Sequence, residues 1–431
     1  MTLYRKELWR ILKSLIFLLM TAGIVLFAYT QGIFPPDGTI TKPEPGAANY
    51  GMKASNDPAL IMPEAAENLF VLYSVNQYPT YPNGFIKYVK LGQADREKMG
   101  KIISELSIDE IFNDIQESKD TLDTGNHEIQ INGADLQSNG DGSFQIFTQE
   151  GQTPTDFNFN PDITWERFSE LMAQADDILG GGSDFSERWI SHRFGQIPVT
   201  YEEALADYEL AVSHDKLTGA HARLFSDYMG IILGLLPVFP AVFLSMRDRK
   251  KIAPMLYTRR ISSVRFILAR YLALVTAVMI PVLGMCAVLT GIHAVDYALG
   301  NIDILAYFKY AFFWILPTAM ASTAVGLFFT TLTSTPVAIG IQLVWWFVDT
   351  LGGNGAYSFF GIRPLQLIPR HNGLGNTRAY IDYLPNLIQN RVWITLIAVS
   401  LVALTMFVFS MKRRGLLYVP VFKRSKIQSE V

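Results

Sequence analysis

The stretch Arg247 to Arg265, R-D-R-K-K-I-A-P-M-L-Y-T-R-R-I-S-S-V-R, lies between two long apolar runs and constrains this chain more than any other. Phe225 to Met246 carries only Asp227 as a charge, and Phe266 to His293 only Arg270. Each run is long enough to cross a bilayer, because ~20 apolar residues at a rise of ~1.5 Å cover ~30 Å of hydrocarbon. Between them Arg247, Arg249, Lys250, Lys251, Arg259, Arg260 and Arg265 stand against a single acid, Asp248. A short loop so rich in Lys and Arg is retained on the cytoplasmic side, so it predicts the orientation of everything else.

Half of the 431 residues are apolar and the mean hydropathy is +0.21, which predicts several membrane spans together with one soluble domain. The net charge of -3 hides a split: 31 of the 39 acids but only 13 of the 36 bases fall between Pro35 and Arg223. That segment is near about -18 and the remainder near about +15. An acidic domain outside the membrane would raise the local concentration of cationic solutes, or simply keep itself soluble. The single cysteine, Cys286, sits in an apolar run, so an outer domain would fold without an intrachain disulfide.

Taken in order, residues 1–14 place Tyr4, Leu8, Ile11 and Leu12 on one helix face and Arg5, Lys6, Arg10 and Lys13 on the other, a pattern suited to the inner membrane surface. Leu15 to Phe34 is the first expected span. A signal peptide is the competing reading, but the apolar run is long and Q-G-I-F-P-P is a poor cleavage site. Residues 35–223 then read as an acidic, mixed α and β domain. Its connector is rich in Pro, Gly and Thr, and packed structure is expected from about Leu60. Helices are expected over Asp95 to Ile115 and Asp162 to Leu179, the second stopped by Gly180 to Gly182. H-E-I-Q-I-N and S-F-Q-I-F alternate around N-G-D-G as a hairpin would. Thr200 and Glu203 form a candidate capping box for a helix leading to the second span.

Residues 224–411 hold the remaining spans. After the basic loop and the third span, His293 to Leu305 is a short loop without Lys or Arg, in keeping with an outside location. Leu305 to Leu332 is the fourth span, T-S-T-P a tight inner turn, and Val337 to Leu351 the fifth span. Residues 352–390 are too long for a simple hairpin and amphipathic enough to dip back into the membrane, where irregular backbone must be buried or wetted. Val392 to Met411 is the last span, and the basic tail 412–431 stays inside. The expected fold is an α-helical membrane protein of six transmembrane helices, with the mixed α/β extracytoplasmic domain inserted between helices one and two.

This layout resembles the membrane subunits of ABC transporters, specifically the type-2 exporter permeases with six helices per subunit. The resemblance rests on Y-R-K-E-L-W-R-I-L-K at the start, the basic loop after the second span, the re-entrant-like segment, and N-R-V-W-I-T leading to a final K-R-R-G. It implies an amphipathic elbow helix at residues 1–14 and a coupling loop at 247–265 that docks on a separate ATP-hydrolysing subunit, with Arg247, Asp248, Met255, Leu256, Tyr257, Arg259 and Arg260 as the contact residues. Here the loop lacks the Glu and Gly-Thr pair often seen in the family. The resemblance also implies the plasma membrane, cytoplasmic termini, and a second permease copy as homodimer or related heterodimer. Independently of the resemblance, Ile252, Met255, Leu256 and Tyr257 make a small apolar patch beside cations, suited to a partner's cleft. The competing reading of the same bases is that they only set topology.

No G-x-x-x-x-G-K-[ST], H-E-x-x-H, G-x-S-x-G or C-x-x-C occurs. The chain is therefore not expected to be an enzyme or to hold a cofactor, and ATP with Mg would bind the partner subunit. His192, His214 and His221 are close in sequence, yet exposed histidines without a metal are far commoner than zinc sites. Asp227 and Asp349 are candidate pathway residues, since ionisable groups at membrane depth are costly; interfacial acids beside an aromatic belt are the plainer alternative. Pro237, Pro240, Pro281 and Pro317 would kink their helices. A membrane-anchored sensor or binding protein using its outer domain is the second functional reading, a membrane-embedded enzyme ranks last, and nothing points to nucleic acid.

Overall fold

A computed structural model describes residues 3–36, 38–81, 87–108, 129–131, 134–138, 144–147, 157–187, 189–250, 261–297, 300, 302–351, 364–370 and 373–417. The chain divides into two compact units, Met1–Pro45 with Tyr201–Val431, and Gly46–Thr200. The segments next to the division, up to Pro45 and from Tyr201, group with the apolar helices. The smaller unit is therefore shorter at both ends than the domain expected over 35–223.

The larger unit is helical. Among the described residues, four helices are long and apolar enough to cross a membrane: Thr218–Arg247, Ser263–Asp296, Ala306–Thr333 and Thr377–Arg413. A fifth is reached if Leu3–Leu12 and Leu15–Thr30, bent by 65°, count as one. Ser14 makes that bend: its hydroxyl donates to the Ile11 carbonyl at 2.6 Å, closing one helix, and accepts from the Phe17 amide at 3.2 Å, opening the next. The expected fifth span, Val337–Leu351, is an apolar helix over 15 described residues, about 22 Å, and residues 352–363 that follow it lie outside the described ones. Among the described residues four or five candidate spans are present, and a sixth is not shown.

Other boundaries moved for identifiable reasons. The helix Tyr201–Asp215 does not run on into the next one, because Lys216 and Leu217 both take positive φ. Thr218–Leu235 and Val238–Lys250 are separated at Leu236–Pro237, where proline lacks a donor. Ala311–Ile315 is a π-helical turn just before Pro317, whose missing N–H frees a carbonyl one turn back. The last helix begins at Thr377, well before Val392, so residues 377–390 of the expected re-entrant-like segment are its first turns.

Leu316–Thr333 lies at the centre of this unit. It buries Ala319, Ala321, Ser322, Thr323, Ala324 and Gly326, small residues that let neighbouring backbones approach. A Cβ on Gly326 would meet the Ala241 Cβ at 2.7 Å and the Val238 carbonyl oxygen at 3.1 Å.

The smaller unit combines helices and short antiparallel strands. Its core packs Pro58–Val75, Gln93–Leu106 and Trp165–Leu179 through Leu69, Met99, Leu106 and Phe168, all fully buried. Asp57 caps the first of these helices, accepting from the Ala59 amide at 3.0 Å with Pro58 behind it. Thr164 caps the third, which ends at Gly180 in the left-handed region, as expected from Gly180 to Gly182. Met52–Ala54 pairs with Gln196–Pro198, and Tyr78–Thr80 with Lys87–Val89. The expected hairpin is a three-stranded sheet. Ala134–Ser138, not anticipated as a strand, is central and separates Ile129–Ile131 from Phe144–Phe147. N-G-D-G lies outside the described residues, as does the distal end of the helix expected to reach Ile115.

Candidate functional site

Within the helical unit, residues 364–370 form neither helix nor strand, yet Gln366, Leu367 and Ile368 are buried. Peptide groups removed from water need internal partners, and more so at membrane depth. The Asp349 carboxylate accepts from the Leu367 amide and, at 3.3 Å, from the Ile368 amide. The Thr318 hydroxyl donates to the Leu367 carbonyl at 2.8 Å. Arg391 donates through Nη2 to the Gln366 and Leu367 carbonyls at 3.3 Å each, and Asn390 donates to the Gln366 carbonyl at 2.8 Å. Through Nη1, Arg391 also reaches the Trp314 carbonyl at 2.9 Å and Thr318 Oγ1 at 2.8 Å. One buried guanidinium therefore ties the segment to two helices. Such a charge is tolerable in an apolar setting only with this many acceptors.

Arg370, at the end of the segment, is held in the same way. Arg370 Nε lies 3.0 Å from Asp227 Oδ1, and its guanidinium carbon 5.2 Å from the centre of the Tyr228 ring. The two acids singled out from the sequence, Asp227 and Asp349, are thus both buried and both bind residues 367–370. Gly234 lets the segment approach, since a Cβ there would meet Ile368 Cδ1 at 2.8 Å. Sequence reasoning missed Arg370, Asn390 and Arg391. Arg391 stands in the N-R-V-W-I-T motif, immediately before the run taken as the last span, where it reads as a flanking cation.

A second polar cluster forms where Tyr201–Asp215 breaks from Thr218–Leu235. Asp215 pairs with Arg223, two helical turns further on, and accepts from the Thr377 hydroxyl at 2.6 Å. Arg223 also donates to the Gly375 carbonyl at 2.9 Å and lies 4.5 Å from the Tyr380 ring centre. Burial pushes the Asp215 carboxyl up, but Arg223, Thr377 and His214 outweigh it and hold the group below the ordinary carboxylate range. His221 does not meet His214 or His192. Its ring lies 4.2 Å from that of His293, tilted by 33°, and their Nε2 atoms face Tyr297 and Tyr307 hydroxyls at 3.0 and 2.8 Å.

Of the expected docking residues, Arg247 is exposed near the end of Val238–Lys250, and Asp248 lies in that helix. Met255, Leu256, Tyr257, Arg259 and Arg260 lie outside the described residues. At the far side of the loop, Ser262 caps Ser263–Asp296, and Arg413 donates to the Ile261 carbonyl. Lys412 donates to the Leu332 carbonyl at 3.0 Å and to Ser334 Oγ at 2.9 Å, closing the end of the central helix. No known protein-family model matches the chain, and neither a curated protein nor a solved structure matches it.

Proposed function

We propose that this chain is the permease subunit of an ABC transporter of the exporter type, forming the translocation pathway and driven by a separate ATP-hydrolysing subunit docked on residues 247–265. The observation that carries the reading is how the amphipathic Leu3–Leu12 helix is seated. It bends by 65° into an apolar helix and packs on Ser263–Asp296, the helix that leaves the basic loop. Tyr4 donates to Thr276 Oγ1 at 3.0 Å, Glu7 lies 3.8 Å from Arg270, and Ile11 is buried. A surface-lying helix coupled to the helix behind a docking loop can pass motion of a partner into the bundle. In this reading Val337–Leu351 and the buried 364–370 segment together complete a sixth crossing. The Gly46–Thr200 unit is extracytoplasmic, both termini are cytoplasmic, the plasma membrane is the site, and a second permease copy completes the pathway.

The experiment is co-purification with a candidate ATPase and measurement of transport-coupled ATP hydrolysis. The Leu256→Ala, Tyr257→Ala double variant should insert normally and lose coupling, because removing buried anchors weakens an interface by ~2 kcal/mol or more, about thirtyfold. Normal coupling in that variant would refute the docking assignment.

A further inference from the structure

The helical unit contains a cavity of about 290 Å³ whose walls include His214, Asp303, Lys309, Tyr310, Phe313 and Tyr380. That volume lies just below the ~300–1,000 Å³ of pockets for drug-sized ligands and suits a single head group. Several local features shape the walls. The π-helical turn Ala311–Ile315 shifts the helix register so that Phe313 lines the cavity while Trp314 is fully buried in the core. Single π turns inside α-helices recur at functional sites. Tyr310 and Tyr380 meet nearly edge to face, centroids 5.9 Å apart, and His214 stands across Tyr380 at 6.5 Å. Gly219, also on the wall, permits the close approach of Asp215, whose Oδ1 would lie 3.2 Å from a Cβ there.

Of the charged groups on the wall, Asp303 and Lys309 differ in rigidity. Asp303 is fixed: its amide donates to Thr218 Oγ1 at 2.9 Å, its carbonyl accepts from the Thr218 hydroxyl at 3.0 Å, and its Oδ1 accepts from the Leu305 amide at 2.9 Å. Lys309, ion-paired to Asp303 Oδ2, has a flexible stem and a side chain 61% exposed. The other nearby cation, Arg223, is committed to Asp215, Thr377 and the Gly375 carbonyl. Asp215, which also lines the cavity, is held by Arg223 and Thr377, so what the cavity offers a ligand is the anchored Asp303 carboxylate and several aromatic rings. That is the chemistry that holds ammonium groups. The Lys309 ammonium already occupies the position a ligand cation would take.

We propose that this cavity binds an organic ammonium, with Asp303 as its counter-ion, Tyr310, Phe313 and Tyr380 as its aromatic walls, and Lys309 as the internal cation it displaces. The site stands whether or not ATP drives the protein, since binding is measured without any partner. The test uses the full chain in lipid nanodiscs and equilibrium dialysis of labelled benzyltrimethylammonium, with empty nanodiscs subtracted. Saturable binding is expected, and phenylmethanesulfonate, the same ring with the opposite charge, should not compete. Asp303→Asn should weaken binding by about fivefold or more, and Lys309→Gln should tighten it severalfold by removing the competitor. The asparagine retains the oxygen that accepts from Leu305, so the turn is preserved. If Asp303→Asn nevertheless fails to fold, Lys309→Gln decides alone. Absence of saturable binding, equal binding by the Asp303→Asn variant, or Lys309→Gln that weakens or leaves binding unchanged would overturn the proposal. Preference for the sulfonate would assign the cavity to anions instead.

Discussion

Asp227 and Arg370 are 143 residues apart in the chain, and their side chains meet at 3.0 Å, with the carboxylate fully buried. The pair joins the Thr218–Leu235 helix to the end of the non-helical segment whose amides are held by Asp349. Charge here attaches irregular backbone to a helix bundle, in surroundings where an unmatched ion would be far more costly than in water.

Removing one member of the pair should therefore cost more than removing both. Asp227→Ala is expected to destabilise the protein by about 3–5 kcal/mol, because it takes away the buried partner of a guanidinium, whereas Asp227→Ala with Arg370→Leu should recover much of the loss. Cys286, the sole cysteine and fully buried, supplies the readout, since a thiol-reactive fluorophore labels it only on unfolding. Equal midpoints for the single and double variants would show that the pair contributes no coupling.

Gly326 should tolerate no side chain. With its nearest neighbours at 2.7 and 3.1 Å, Gly326→Val must push the Val238–Lys250 helix away from the central helix, at a cost of about 1–3 kcal/mol in the same thiol assay. Gly340, a helical glycine with open space around it, is the control: Gly340→Ala should not lower the midpoint and should raise it slightly through helix propensity.

Two carboxylates of the smaller unit should give pH dependences of opposite sign. The Arg167 hydrogen bond holds Glu105 below the ordinary carboxylate range, so its contribution is present above the unfolded pKa of ~4.3 and lost as pH falls through the folded value. Burial pushes Asp184 up despite its 2.9 Å contact with Arg193, so its contribution is present below the unfolded pKa of ~3.9 and lost as pH rises through the folded value. Hydrogen exchange of the Gln93–Leu106 and Trp165–Leu179 helices between about pH 3 and 6 checks this. Glu105→Gln should flatten the acid loss, and Asp184→Asn should remove the loss on the alkaline side. If both variants shift the profile in the same direction, these causes are misassigned.

Topology is open to direct measurement. In a Cys286-free background, a cysteine placed at Asn126 should react with a membrane-impermeant maleimide from outside, and one at Ser429 only after permeabilisation. Labelling at Asn126 from the cytoplasmic side alone would reverse the orientation.

The local sequence determined those parts that depend on composition and short-range chemistry. Long uncharged runs gave the apolar helices, because only a helix satisfies its own backbone in hydrocarbon. The end of the helix Trp165–Leu179 was legible from Gly180, and the amphipathic helix Leu3–Leu12 from its two faces. Asp227 and Asp349 could be singled out because acids in apolar runs are costly, but not their partners. Arg370 lies 143 residues from Asp227 and the Leu367 amide 18 from Asp349, and nothing local marks Arg391, which reads as a cation flanking a span, as buried. The early start of the last helix at Thr377 and the π turn before Pro317 were decided by tertiary structure. Hydropathy registers how apolar a stretch is, whereas the course of its backbone depends on which distant donors and acceptors are available to receive it. For residues 364–370 those are Asp349, Thr318, Asn390 and Arg391, side chains brought together only when their helices pack.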